Sequence, residues 1–155
     1  MLLRETLSLR AFSFLKIPLI YHIRPTVLEV SEKRIEIKVP LGRRSRNHLN
    51  SMYFGALSIG ADCAGGLLAM NLIRQKKAKV ALVFKDFKAE FLKRAEGDVH
   101  FICEQGEEIR NLVEKAVQSG ERENMAVNMI ATVPSKLGDE PVARFVLTLS
   151  LKRHS

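Results

Sequence analysis

Between Arg46 and Arg74 the only charged side chain is Asp62, set in the middle of Phe54-Gly-Ala-Leu-Ser-Ile-Gly-Ala-Asp-Cys-Ala-Gly-Gly-Leu-Leu-Ala-Met-Asn-Leu-Ile73. A helix apolar on nearly every side needs cover on most of its surface, so the rest of the chain has to fold around it. A carboxylate in those surroundings must be paired, solvated in a cleft or protonated, because burying an isolated charge costs many kcal/mol. Asp62 is therefore the first candidate for function. The stretch 47–73 is long enough to cross a bilayer. Asp62 at its centre, the polar Asn47, His48, Asn50 and Asn71, and four glycines (Gly55, Gly60, Gly65, Gly66) favour the buried helix of a soluble domain instead.

At 155 residues, 46% hydrophobic and 27% charged, the chain fits one domain with a substantial core. A net charge of +8 favours anionic partners without choosing among phosphates, nucleic acid and an acidic membrane surface. Cys63 and Cys103 imply no disulfide framework and read as reduced core thiols. The apolar run Ala11 to Ile20 is interrupted by Lys16 and Pro18 and makes a poor secretory signal, so a cytoplasmic protein is expected.

Residues 2–16 read as a helix of mixed character, and Pro18 and Pro25 bracket an irregular segment. One strand is expected over about 27–39, where Ile35, Ile37 and Val39 alternate with Glu36 and Lys38, and Pro40 and Gly42 stop it. The polar loop Arg43 to Ser51 leads into the apolar helix of 54–73. Val80 to Phe91 and Val99 to Glu104 read as strands joined by a turn at Glu96-Gly97-Asp98, a hairpin. Ile109, Leu112, Val113, Ala116 and Val117 mark an amphipathic helix over 106–118 that Gly120 ends. Alternation over 125–133 and 145–151 gives two further strands, with a loop from Pro134 to Pro141. This order implies an α+β fold, an antiparallel sheet wrapped around a long central helix. Parallel-sheet alternation and a nucleotide-binding glycine loop are both missing from the sequence.

The run Asn47-His-Leu-Asn50-Ser-Met-Tyr53-Phe54-Gly55, with Asp62 seven residues after Gly55, resembles the motif of phenylacetyl-CoA-type thioesterases of the hotdog superfamily. In that family an Asn, a Gly three residues on and a His-Gly-Gly precede the helix, and an acid follows seven residues after the last Gly. Asn47, Gly55 and Asp62 match in type and spacing. Asn50, Tyr53 and Phe54 stand where the family has Gly, His and Gly, which marks a divergent branch. Asn tolerates the left-handed conformation a Gly would supply, whereas Tyr53 and Phe54 are bulkier and alter the acyl pocket. Phe84-Lys-Asp-Phe and Ala95-Glu-Gly-Asp98 also resemble family segments, and the likeness covers about residues 26–152.

The resemblance implies a hotdog core over 26–152 with a helical extension over 1–25, all one domain. It also implies an active site at a dimer interface, in a homodimer or dimer of dimers. An acyl-CoA thioester would be hydrolysed by water, with Asp62 as general base or nucleophile and Asn47 orienting water or carbonyl. The Gly55 amide at the helix N-terminus would form an oxyanion hole, where removing one donor typically costs ~2.7–4 kcal/mol. Seven residues are about two helical turns, roughly 10 Å, so Gly55 and Asp62 of one chain cannot both touch one small group. Arg43, Arg44 and Arg46 are candidates for the coenzyme A phosphates, and Tyr53 and Phe54 for the acyl group. Coenzyme A enters only as part of the substrate, with no other cofactor and no metal: His48 has no second ligand at metal spacing.

Each candidate also has a structural role open to it. Asp62 could pair with a lysine, Asn47 could cap a turn, the arginines could be a solvated face, and Gly60, Gly65 and Gly66 could permit close helix-to-sheet packing. A second reading is a hotdog domain that holds an acyl or lipid-like ligand without turning it over. A third, a basic module for nucleic acid or membrane, rests on the +8 alone. No nucleic-acid partner and no membrane span are expected, since the basic-aromatic interleaving of a single-strand binder is missing.

Overall fold

The computed structural model describes residues 1–154. Period-2 alternation becomes six strands among these described residues: β1 (Thr26–Val30), β2 (Ile35–Val39), β3 (Val80–Phe91), β4 (Val99–Cys103), β5 (Glu123–Thr132) and β6 (Pro141–Arg153). They form one antiparallel sheet in the order β1-β2-β4-β5-β6-β3. The inward side chains Ile35, Ile37, Val39, Phe101, Phe145, Leu147 and Leu149 are buried. They pack on the central helix (Phe54–Gln75), which buries Ala56, Leu57, Ala61, Ala64, Leu68 and Leu72. Each fully buried Leu or Ile contributes roughly 1.5–3 kcal/mol of transfer free energy, and this layer carries most of the core. The antiparallel sheet wrapped around one long helix is the arrangement expected from the sequence.

The helices number α1 (Leu3–Lys16), α2 (Pro18–His22), α3 (the central Phe54–Gln75), α4 (Gly106–Ser119) and α5 (Pro134–Leu137). α3 is long and apolar enough to cross a membrane by length and composition alone, and most of it is buried inside the chain as the core helix. α4 buries Ile109, Leu112, Val113 and Ala116, and Gly120 ends it at φ 69°, as its sequence predicts.

Four expectations need correction. The single strand over 27–39 is a hairpin: Ser31 Oγ accepts from the backbone N–H of Lys33 (3.3 Å) and Arg34 (3.0 Å) and turns the chain between β1 and β2. The polar tetrad Ser31-Glu-Lys-Arg34 carries that turn, beside the stronger alternation of 35–39. β3 and β4 do not pair as a hairpin, because β3 bonds β6 at one edge of the sheet while β4 lies between β2 and β5. The segment between them anchors the loop before α3 instead: Met52 N–H donates to the Ala95 carbonyl (2.8 Å) and Leu41 N–H to Asp98 Oδ1 (2.9 Å). Between Pro18 and Pro25 stands α2, which Pro18 starts at its first position. The loop from Pro134 similarly opens with the single turn α5.

The two sheet edges differ. At β1, α1 lies alongside, with Leu2 N–H donating to the Val27 carbonyl (2.8 Å) and Val27 N–H to Thr6 Oγ1 (3.0 Å). Among the described residues β3 pairs only with β6, and it exposes Val83, Phe87 and Phe91 along its length. A long unpaired edge is a template for another strand, although Lys85, Asp86, Lys88 and Glu90 are exposed between these apolar residues.

Candidate functional site

Asp62 stands midway along α3, at the wall of a cavity of about 660 Å³. α1 and α2 roof this cavity with Leu9, Phe12, Ile17 and Ile20, while Leu67, Met70, Leu82 and Phe84 form its apolar floor. Polar atoms enter from Arg4, Glu5, Ser8, Asn71 and Arg74. Burial alone holds the Asp62 carboxyl above the ordinary carboxylate range; no donor or cation among the described residues offsets it. The lysine pairing open to it on sequence grounds is not made. An unpaired carboxyl whose charged form is disfavoured by burial at the wall of a largely apolar cavity is a candidate acid–base group. Its neighbour Cys63 is buried, and burial together with the Asp62 charge pushes its thiol up, away from nucleophilic use.

The loop Pro40 to Tyr53 brings the other candidates to the start of α3. Ser45 is buried and ties the loop, donating from Oγ to the Pro40 carbonyl (2.6 Å) while its own carbonyl accepts from Tyr53 N–H (2.7 Å). Asn47 Oδ1 accepts from Leu49 N–H (2.9 Å), Ser51 N–H (3.2 Å) and Ser51 Oγ (3.2 Å). Its carbonyl oxygen is thus engaged in shaping the loop, the turn-capping role open to it on sequence grounds. Asn50 takes φ 58°, the left-handed conformation for which Asn substitutes for Gly.

α3 begins without a side-chain cap, so the N–H groups of its first turn remain as donors. Over them lies the Tyr53 ring: a Cβ on Gly55 would stand 2.4 Å from Tyr53 Cε1. Gly55 therefore lets the ring fold down on the helix end. Tyr53, Phe54 and Phe91 continue as an exposed aromatic row, with centroid separations of 4.8 and 6.3 Å, that meets Phe145 at 6.3 Å.

Within one chain the candidates fall into three groups. Asp62 lines the large cavity, which none of Asn47, Tyr53, Phe54 and Gly55 reaches. Arg43 and Arg44 line a separate shallow cleft with His22 and Arg24, and Arg46 is exposed beyond it. What sequence reasoning missed is the contribution of residues 4–20 to the cavity around Asp62. The only signal was the pair of buried apolar positions Leu9 and Ile20 in a segment whose helical pattern looked mixed. Among the described residues no three His, Cys, Asp or Glu side chains converge as metal ligands would.

A family model described as domain of unknown function DUF4442 matches residues 6–150. No curated protein sequence matches the chain. Solved structures do. A Chlorobaculum tepidum protein of unknown function superposes with a TM-score of 0.83 at 13% identity, covering 96% of this chain and 94% of its own. A Pseudomonas aeruginosa protein described as a probable thioesterase gives 0.79 at 23% identity, covering 96% of each. A thioesterase family protein of Silicibacter pomeroyi gives 0.68 at 19% identity, over 96% of this chain and 99% of that one. At these identities the likeness establishes the hotdog fold.

Proposed function

The chain belongs to the DUF4442 family, whose model spans residues 6–150, and we propose that it hydrolyses an acyl thioester with Asp62 as the proton-accepting group. The observation that carries this is the unpaired carboxyl of Asp62, its pKa raised by burial, at the wall of a largely apolar cavity of about 660 Å³. Support comes from the names of structural neighbours with the same fold, a probable thioesterase and a thioesterase family protein.

In this proposal the Asp62 carboxylate takes a proton from water as the water oxygen bonds to the thioester carbonyl carbon. The resulting oxyanion is met by N–H groups at the start of α3, the Gly55 amide among them. Collapse expels the thiolate, which leaves protonated as the free thiol, and the acyl group departs as the carboxylic acid. Because Gly55 and Asp62 lie roughly 10 Å apart along one helix, the helix end comes from a second copy. The unpaired β3 edge with Val83, Phe87 and Phe91, next to Tyr53 and Phe54, is where that copy would join. Arg43, Arg44 and Arg46, whose charges have no ion-pair partner among the described residues, would meet coenzyme A phosphates. Free Cys63 and Cys103 accord with a cytoplasmic setting, which is part of this proposal.

The Tyr53 ring over Gly55 favours a second reading, an acyl-binding protein that does not turn its ligand over. Thiol release from short, medium, long and aromatic acyl-CoAs separates the two. Turnover is expected, with preference for acyl groups that fill the apolar cavity. Retention of acyl-CoA on a desalting column with no thiol released from any member would instead establish the binding reading.

A further inference from the structure

α1 buries Leu9 on its inner side, yet it also carries an apolar stripe on the side that faces water. It sets Thr6 (2% exposed) and Ser13 (0% exposed) inward, where Thr6 Oγ1 accepts from Val27 N–H and Ser13 Oγ donates to the Leu9 carbonyl (2.7 Å). Outward it presents Leu3, Leu7, Phe14 (63% exposed) and Leu15 (74% exposed). With 3.6 residues per turn these fall on one side of the helix. α2 prolongs the face with exposed Leu19 and Tyr21, whose ring meets Phe14 edge-on at 5.2 Å. Exposed apolar surface gathered in this way marks a docking face.

The charges beside it select the partner. Lys16, Arg24, Arg43 and Arg44 enter no ion pair among the described residues. Arg24 follows α2 directly and shares a cleft with Arg43 and Arg44. The only acid in residues 1–24 is Glu5, which lines the cavity beneath α1. A second copy is poorly suited to this face, because a symmetric contact would press two sets of unpaired cations together on chains already at +8 each. An anionic lipid surface satisfies both features at once: its acyl boundary takes the leucines and Phe14, and its headgroup phosphates take the cations.

We propose that α1 and α2 dock this protein on anionic phospholipid membranes, lying in the interface without spanning it. The inference does not require the thioester chemistry: Lys16 and Arg24 serve it alone, while Arg43 and Arg44 are shared with the coenzyme A reading. It nevertheless places the cavity of Asp62 one helix thickness, about 10 Å, from the lipid.

The test is flotation of the full chain with phosphatidylcholine vesicles prepared with and without phosphatidylglycerol, at low and high salt. The wild type should float with the anionic vesicles and lose binding at high salt. The triple substitution Leu7→Ser, Phe14→Ser, Leu15→Ser should lower partitioning by roughly tenfold or more. These side chains are exposed, so circular dichroism should show an unchanged fold; if it does not, Lys16→Glu with Arg24→Glu serves instead and should weaken flotation as strongly. Three results would overturn the proposal: no flotation of the wild type, flotation of the folded triple variant equal to wild type, or a triple variant altered only in oligomeric size.

Discussion

Asp62→Asn lowers thiol release from the preferred acyl-CoA by roughly 10²–10⁴-fold, the usual contribution of a positioned acid–base group, and at the same time raises the melting temperature at neutral pH. Both effects have one cause. The carboxyl sits against an apolar cavity with no partner among the described residues, and burial holds its pKa above the ordinary value. Between the unfolded and folded values the folded chain binds more protons than the unfolded one. Stability is therefore full below the ordinary carboxylate range, falls as pH rises through the raised folded value, and stays lower above it. Asn carries no charge to desolvate, so the variant's advantage should appear at neutral pH and vanish in acid. Wild-type activity should rise with pH through the same raised value, since only the carboxylate can take the proton. Melting curves and initial rates across pH check the two halves together. A variant as active as wild type would sink the role of Asp62, and one that melts lower at neutral pH would mean the carboxylate has a favourable partner after all.

The parts legible in the sequence are those set by local pattern. Alternation in β2, β5 and β6, the heptad-like spacing in α4 and the closing Gly120 each determine a residue's inward or outward direction without reference to the rest of the chain. The isolated charge of Asp62 marked it for attention because a carboxylate in an apolar helix has few physical solutions, namely a partner, a cleft or a proton, and its place at a cavity wall came from the fold. Strand pairing was not legible in the same way. Val80 to Phe91 and Val99 to Cys103 carry the same periodicity whether they pair with each other or with β6, β2 and β5. Their partners β6, β2 and β5 lie elsewhere in the sequence, and the segment between them is held by bonds from Met52 and Leu41 to Ala95 and Asp98. The roof over Asp62 was hidden for a related reason. α1 buries Thr6 and Ser13 beside Leu9 and exposes Leu7 and Leu15, so apolar residues lie on both sides of it and the pattern did not single out the side that packs. Likewise the bulk of Tyr53 was visible, but its position on Gly55 depends on backbone angles at the start of α3.

Gly60→Val should cost about 3 kcal/mol of stability, the upper end of what overpacking a core usually costs. A Cβ at Gly60 would stand 2.3 Å from Cε2 and Cζ of Phe101 and 2.8 Å from Cδ2. The Phe101 ring has little room to yield, being fully buried on β4 and packed against Phe145 at a centroid distance of 6.2 Å. The helix must therefore lift from the sheet or the ring must leave its rotamer, and either loosens the layer that contains most of the core. Urea denaturation measures the loss. The contact itself is checked by adding Phe101→Leu, which shortens the side chain beneath position 60. If the clash is the cause, the double variant should be more stable than the sum of the two single changes implies; strict additivity would place the cost of Gly60→Val elsewhere. Asp62 follows Gly60 on the same helix, so a lift of α3 also displaces the carboxyl from its cavity. Acyl-CoA turnover in folded Gly60→Val should then fall, and Phe101→Leu should restore part of it.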